Sequence, residues 1–319
     1  MLATLLAAVV ASPTSFDAPS LRRFEVEQRL DVAPLSGGPS ALFFVPLPQD
    51  DPWQLVTGLS IEGAAFDVVH DPREGNAAAR LKVPAAGVHL VVRYTIQRRE
   101  RSADLGAAEG TQFPNGYVRD LASDRHVPVE LVRDIAWEIG ADAPTPLGRA
   151  RAVYDYVLGH MRYDKSGTGW GRGDVRWACD EHRGNCTDFH SLLIGLLRAS
   201  GIPARFQIGH SLPDGPAGEL AGYHCWADFY LPGSGWVPVD ASEGWKHPEK
   251  RDFFFGHHDA DRFAVSTGRD IVFPGMTGEP LNFFVFPYLE VAGKAAPGLV
   301  SRRATFRDLP PRASAAASQ

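Results

Sequence analysis

The sequence predicts an α+β fold: an N-terminal β-sandwich followed by a domain of helices packed on an antiparallel sheet. Three observations carry this expectation. Between Phe24 and Gln97, apolar and polar residues alternate in runs separated by turn clusters. After Cys186, apolar residues recur at helical spacing. From Gly222 to Asp240, two strand-like runs rich in aromatic residues flank a turn.

The chain of 319 residues is long enough for two domains. Its hydrophobic content of 44% and charged content of 22% are ordinary for a globular protein. A net charge of −6 argues against a nucleic-acid partner, which would want a basic face. No apolar run approaches the ~20 residues that span a bilayer. Residues 1–11 are almost wholly apolar and are followed by Ser12-Pro13. They predict a short signal peptide cleaved after Ala11, although no Lys or Arg precedes the run. A secreted or periplasmic protein is therefore expected.

Phe24, Val26, Leu30 and Val32 alternate with polar residues, as do Val88, Leu90, Val92, Tyr94 and Ile96. Turn clusters such as Ser36-Gly37-Gly38-Pro39 and Asp71-Pro72 separate the runs. Short strands with turns between them predict a sandwich over residues 22–100. Residues 101–126 are polar and Gly-containing and read as a linker. A second domain follows over residues 127–291. It opens with a helix from about Pro128 to Ile139. Thr145-Pro146 then supplies an N-cap and a first-position Pro for the next helix. Residues 282–291 read as a last strand on this second domain. The Ala-, Ser-, Arg- and Pro-rich residues 292–319 read as a disordered tail.

The chemistry concentrates in the second domain. Phe189, Leu192, Leu193, Leu196 and Leu197 mark one helix face, and Gly201 and Pro203 end the helix. Cys186 then lies in the first turn, where free backbone N–H groups and the helix dipole favour an anion. That position lowers a thiol pKa and offers donors to an oxyanion. His224 begins an aromatic-rich strand, with Trp226 on the same face and Cys225 on the other. Asp240 ends the next strand, so a hairpin brings it to His224. Cys, His and Asp in this arrangement make an activated-thiol acyl-transfer site.

The phrases GNCTDFHSLLIGLLRASGIPARFQIG, GYHCWADFYLPGSGWVPVD and FFFGHHDADRFAVSTGRDI resemble bacterial members of the transglutaminase-like superfamily. The resemblance covers roughly residues 127–287. It implies a papain-like core with Cys186 as nucleophile, His224 as base and Asp240 as orienting carboxylate. It also implies a β domain ahead of that core. Papain-like enzymes take an oxyanion donor from upstream of the nucleophile, and the Trp177 indole is the candidate here. Trp226 is a second cleft candidate.

Other residues read more plainly. His190 lies one turn after Cys186 and could rival His224 as base, but its place inside an apolar helix makes it a supporting residue. His257-His258-Asp259 lack a metal-ligand pattern, so no metal and no cofactor are expected. Arg205, Arg262 and Arg269 read as ion-paired framework residues. Cys179 and Cys225 read as small buried thiols, with a disulfide as the alternative. The expected activity is cleavage or transfer of an amide acyl group through a Cys thioester, with hydrolysis preferred. The substrate would be a protein or peptide, including a cell-wall peptide. Protein-glutamine cross-linking and a non-catalytic peptide-binding module are the alternatives.

Overall fold

This computed structural model describes residues 20–35, 41–108, 110, 113 and 115–310. The expected signal segment lies outside the described residues, as do residues 311–319. Six strands open the chain: β1 (Leu21–Val32), β2 (Ala41–Leu47), β3 (Gln54–Glu62), β4 (Asp67–His70), β5 (Ala77–Lys82) and β6 (Val88–Arg99). β1 and β6 pair antiparallel along their whole length, from Leu21 opposite Arg99 to Val32 opposite Val88. Phe24, Val26, Leu30, Leu90, Val92 and Ile96 point inward and are wholly buried. The residues between them are more exposed, so the period of two in the sequence becomes one buried face.

The short β7 (Arg101–Ser102) leads to α1 (Arg133–Gly140) and α2 (Pro146–His160). Thr145 caps α2 by accepting from the Gly148 N–H. β8 (Arg162–Tyr163), α3 (Val175–Glu181) and β9 (Arg183–Gly184) then precede α4 (Cys186–Ala199). Every residue of α4 from Cys186 to Arg198 is buried. It is a central helix, apolar on nearly all sides. It packs against α1, α2 and α3 and against the sheet that follows.

That sheet contains β10 (Ala204–Ser211), β12 (His224–Leu231), β13 (Gly235–Val239) and β15 (Arg262–Thr267) in the order β13-β12-β10-β15. All its neighbours are antiparallel. The short β11 (Ala217–Glu219), α5 (Ala241–Lys246) and β14 (His257–His258) lie between its strands in sequence. After it come β16 (Tyr288–Val291), β17 (Lys294–Ala295) and β18 (Val300–Asp308). Among the described residues, no helix is long and apolar enough to cross a membrane.

Three expectations are corrected here. The tail is not wholly disordered: Val300–Asp308 is a strand paired with β1 from Val32↔Val300 to Phe24↔Asp308. It sits in a five-stranded sheet ordered β11-β18-β1-β6-β3. Its sequence hides this because only Ala304 and Phe306 are buried, while Arg, Ser and Thr fill most other positions. The expected last strand on the second domain is shorter, and it pairs elsewhere. Tyr288–Val291 lies against β2, within a sheet ordered β17-β16-β2-β5-β4. The aromatic residues just before it pack as a cluster instead, with Phe283 on Phe206 and Phe286 on Tyr223. The segment after residue 100 is anchored rather than a loose linker. Arg101 donates to the buried Asp228 carboxylate at 2.8 Å, and β7 pairs with β14.

Phe306 packs edge-on against Phe24, with ring centroids 6.3 Å apart. Phe306→Ala should therefore cost about 3–5 kcal/mol, the range for a fully buried Phe, read by urea denaturation. A loss below about 1 kcal/mol would show that β18 adds nothing to the folded unit.

Candidate active site

Asn185 caps α4, its side chain accepting from the Thr187 N–H at 2.8 Å. Asp188 reciprocates by accepting from the Asn185 N–H at 2.9 Å, which completes a capping box. The same carboxylate accepts from Gly171 N–H at 2.7 Å and Gly173 N–H at 3.0 Å. It thereby pins the upstream loop to the start of the helix. Arg269 holds that loop from the other side, donating to the carbonyls of Gly173 and Arg172 and to Ser191 Oγ. Its partners are neutral oxygens, not the acid expected, and burial lowers its pKa to about 10. Gly173 sits at φ +61°, and a Cβ there would overlap Ser191, Arg269 and Thr187. Only glycine fits this approach.

Cys186 is thus the first residue of α4 and is only 2% exposed. Cys225 and His224 are the neighbours whose polar groups act on its thiol. His224 is the first residue of β12. Its Nε2 stands 2.7 Å from Asp240 Oδ2, which leaves Nδ1 for the thiol. Asp240 follows β13, has no exposed surface and caps α5 by accepting from the Glu243 N–H at 3.0 Å. It also accepts from Arg262 Nη1 at 2.7 Å and Ser242 Oγ at 3.0 Å. The Asp240 carboxylate is therefore both a helix cap and the partner of His224.

The electrostatics follow from these contacts. The Cys225 thiol bond and the His224 charge outweigh burial and hold the Cys186 pKa well below its usual value. Burial alone would lower the His224 pKa, but the Asp240 charge, its hydrogen bond and Cys186 raise it to about 10. Burial would likewise raise Asp240, but His224, His190 and Arg262 hold it well below the usual carboxylate range. The three shifts agree on a thiolate–imidazolium pair backed by a carboxylate.

His190 is fully buried and bonded at both nitrogens. Nδ1 is 2.7 Å from the Cys186 carbonyl, and Nε2 accepts from the Ala241 N–H at 3.0 Å. Nε2 also stands 3.4 Å from Asp240 Oδ1. The residue ties the start of α4 to the segment carrying Asp240. Cys225 does not turn away to pair with Cys179, and all three cysteines are free thiols. It lies under α4, with Sγ 3.8 Å from Thr187 Oγ1 and beside Cys186.

The two tryptophan candidates lie in different surroundings. The Trp177 indole nitrogen rests on Gly169, and Arg183 stacks over the ring at 5.6 Å. Tyr163 neighbours Cys186, with Lys246 over its ring at 4.1 Å. Trp226 neighbours His224, with centroids 6.0 Å apart, but it is buried under Arg262 and borders another cavity. Tyr163 carries no sequence signal beyond being an aromatic after a helix. Asp188 was readable as the fourth residue of Asn-Cys-Thr-Asp.

Cys186 should be alkylated by iodoacetamide at about pH 6 nearly as fast as at pH 8, because its lowered pKa keeps it a thiolate there. In His224→Ala the rate should instead rise with a midpoint near an ordinary thiol, about 8.5. Peptide mass spectrometry reads both, and matching profiles would show that the two side chains are not coupled.

A model of the transglutaminase-like superfamily matches residues 133–241, a span that contains Cys186, His224 and Asp240. An uncharacterized protein of Haemophilus influenzae is 28% identical over 317 residues, covering 85% of this chain and 86% of its own. The uncharacterized protein YebA of Bacillus subtilis is 27% identical over 146 residues, which are 40% of this chain and 20% of its own. Among solved structures, a proposed cysteine protease from Cytophaga hutchinsonii superposes with a TM-score of 0.66. It is 16% identical and covers 92% of both chains, which is a likeness of fold. Mixed helix and sheet, a helix that starts at a cysteine, and the family match agree over one span: residues 133–241 resemble a transglutaminase-like domain.

Proposed function

We propose that this chain is a cysteine-dependent amide hydrolase acting on peptide or protein substrates. The observation that carries the reading is Cys186 beside a His224 that is bonded to Asp240, with Arg262 closing the buried end. Cys186 Sγ attacks the carbonyl carbon of an amide. The carbonyl oxygen becomes an oxyanion, which the Cys186 backbone N–H at the helix start stabilises. His224 gives its proton to the departing nitrogen, and the C–N bond breaks to leave a thioester. Water then attacks that thioester, with His224 taking its proton. The acid product leaves and the thiolate–imidazolium pair is restored.

Asp240 keeps the His224 ring in the tautomer that presents Nδ1 to the thiol, and it stabilises the imidazolium. Transfer to an amine uses the same thioester and differs only in the acceptor.

With a fluorescent casein as substrate, Cys186→Ala should abolish peptide release. Asp240→Asn should lower turnover by about 10³–10⁴-fold, the scale for losing an orienting carboxylate. Incorporation of dansylcadaverine in place of peptide release would move the reading to acyl transfer. Turnover unchanged in Cys186→Ala would contradict both.

A further inference from the structure

A cavity of about 550 Å³ lies on the face of β12 that carries Trp226 and Asp228. Cys225, on the other face, lies against α4. The cavity walls come from both halves of the chain. Trp53 comes from the turn before β3, Arg98 from β6, Arg101 from β7, and Arg205, Asp228 and Trp236 from the core sheet. The proposed chemistry at Cys186 uses none of them.

The charges on its floor are unequally satisfied. Asp228 is fully buried and accepts from Arg101 Nη1 at 2.8 Å and from Arg205 Nη2 at 3.0 Å. Gln207 adds a third donor at 3.4 Å. Asp228 is therefore fully engaged and has nothing left for Arg98. Arg98 is 2% exposed, and its bond to an acid is a long one of 3.4 Å to Asp51. Asp51 itself is 37% exposed and belongs to the rim. Arg98 Nε has no hydrogen-bond partner among the described residues, and neither has Arg101 Nε. A guanidinium offers five donors in a planar fork and is costly to bury without an acceptor. Two further acids line the cavity: Glu74 has its own partner in Arg119 at 3.2 Å, and Asp50 accepts from the Val56 N–H at 2.7 Å.

We propose that this cavity binds a carboxylate carried on an apolar or aromatic body, with Arg98 gripping the carboxylate and Trp53 and Trp236 facing the body. The carboxylate displaces Asp51 from Arg98 and replaces one long bond with a paired fork. Arg205 already lies over the Trp236 ring at 4.1 Å, which fixes that wall. A volume of about 550 Å³ is within the range of small-ligand sites and takes an amino-acid derivative or a peptide end.

The test is isothermal titration of the full chain with N-acetyl-phenylalanine and with N-acetyl-phenylalanine amide. A tetrapeptide ending in phenylalanine acid is run beside them. The acid should bind roughly tenfold or more tighter than the amide, as expected for a bond to a charged group. Arg98→Gln should remove that preference. Asp51→Asn lies on the exposed rim, keeps the buried residues intact and should tighten acid binding several-fold. Equal binding of acid and amide, binding of neither, or an Asp51→Asn variant with unchanged affinity would overturn the proposal. If it holds, tetrapeptide binding comparable to that of the small acid assigns a peptide end. Binding of the small acid alone assigns a free carboxylic acid.

Discussion

Asp240 is a carboxylate with no exposed surface, and a buried charge is unstable unless it is paired and hydrogen-bonded. Its two oxygens accept from His224, Arg262, Ser242 and the Glu243 N–H. Those four groups come from β12, β15 and the first turn of α5. One side chain therefore fixes where the end of β13 stands relative to two strands and a helix. Deleting a single charged partner of such a group typically costs about 3–5 kcal/mol, because the other charge stays buried. The depressed folded-state pKa of Asp240 also links it to acid stability. Its contribution is complete above the unfolded carboxyl value of about 4. It is lost as the pH falls through the lower folded value.

The second constraint is the start of α4. A helix that begins at Cys186 needs its free N–H groups satisfied or available. Asn185 and Asp188 satisfy those that flank the cysteine, and Asp188 spends its remaining acceptor capacity on Gly171 and Gly173. His190 then joins the Cys186 carbonyl to Ala241, one residue past Asp240. The thiol and the carboxylate are thus tied by two routes, one through His224 and one through His190. Such double anchoring holds these side chains in a fixed geometry without relying on a loop.

Much of this was legible because it rests on local rules. The helix from Cys186, the Thr145 cap, the hairpin from His224 to Val239 and the closeness of Asp240 to His224 all follow from period, capping and turn chemistry. What could not be read depends on distant pairing. β18 shows two buried apolar residues among arginines, so only its partner β1 reveals it as a strand. Tyr163 reaches Cys186 because β8 pairs in parallel with β9, two residues against two, which no sequence period announces. Cys225 was assigned to the face away from His224, which is its place along β12. That face proved to be the one covered by α4, so the same assignment brings Cys225 beside Cys186. Trp177 has Gly169 and Arg183 as neighbours, which only the path of the loop before α4 brings to it.

If Cys186 and His224 form a thiolate–imidazolium pair, the His224 ring carries two protons between Cys186 and the buried Asp240 carboxylate. The most direct measurement is an NMR titration of the ¹⁵N-labelled His224 ring in the wild type and in Cys186→Ala. The account predicts a ring protonated on both nitrogens at pH 7, titrating near 10 in the wild type and lower once the thiolate is removed. A neutral ring at pH 7 that titrates near the ordinary value of about 6.5 would contradict it.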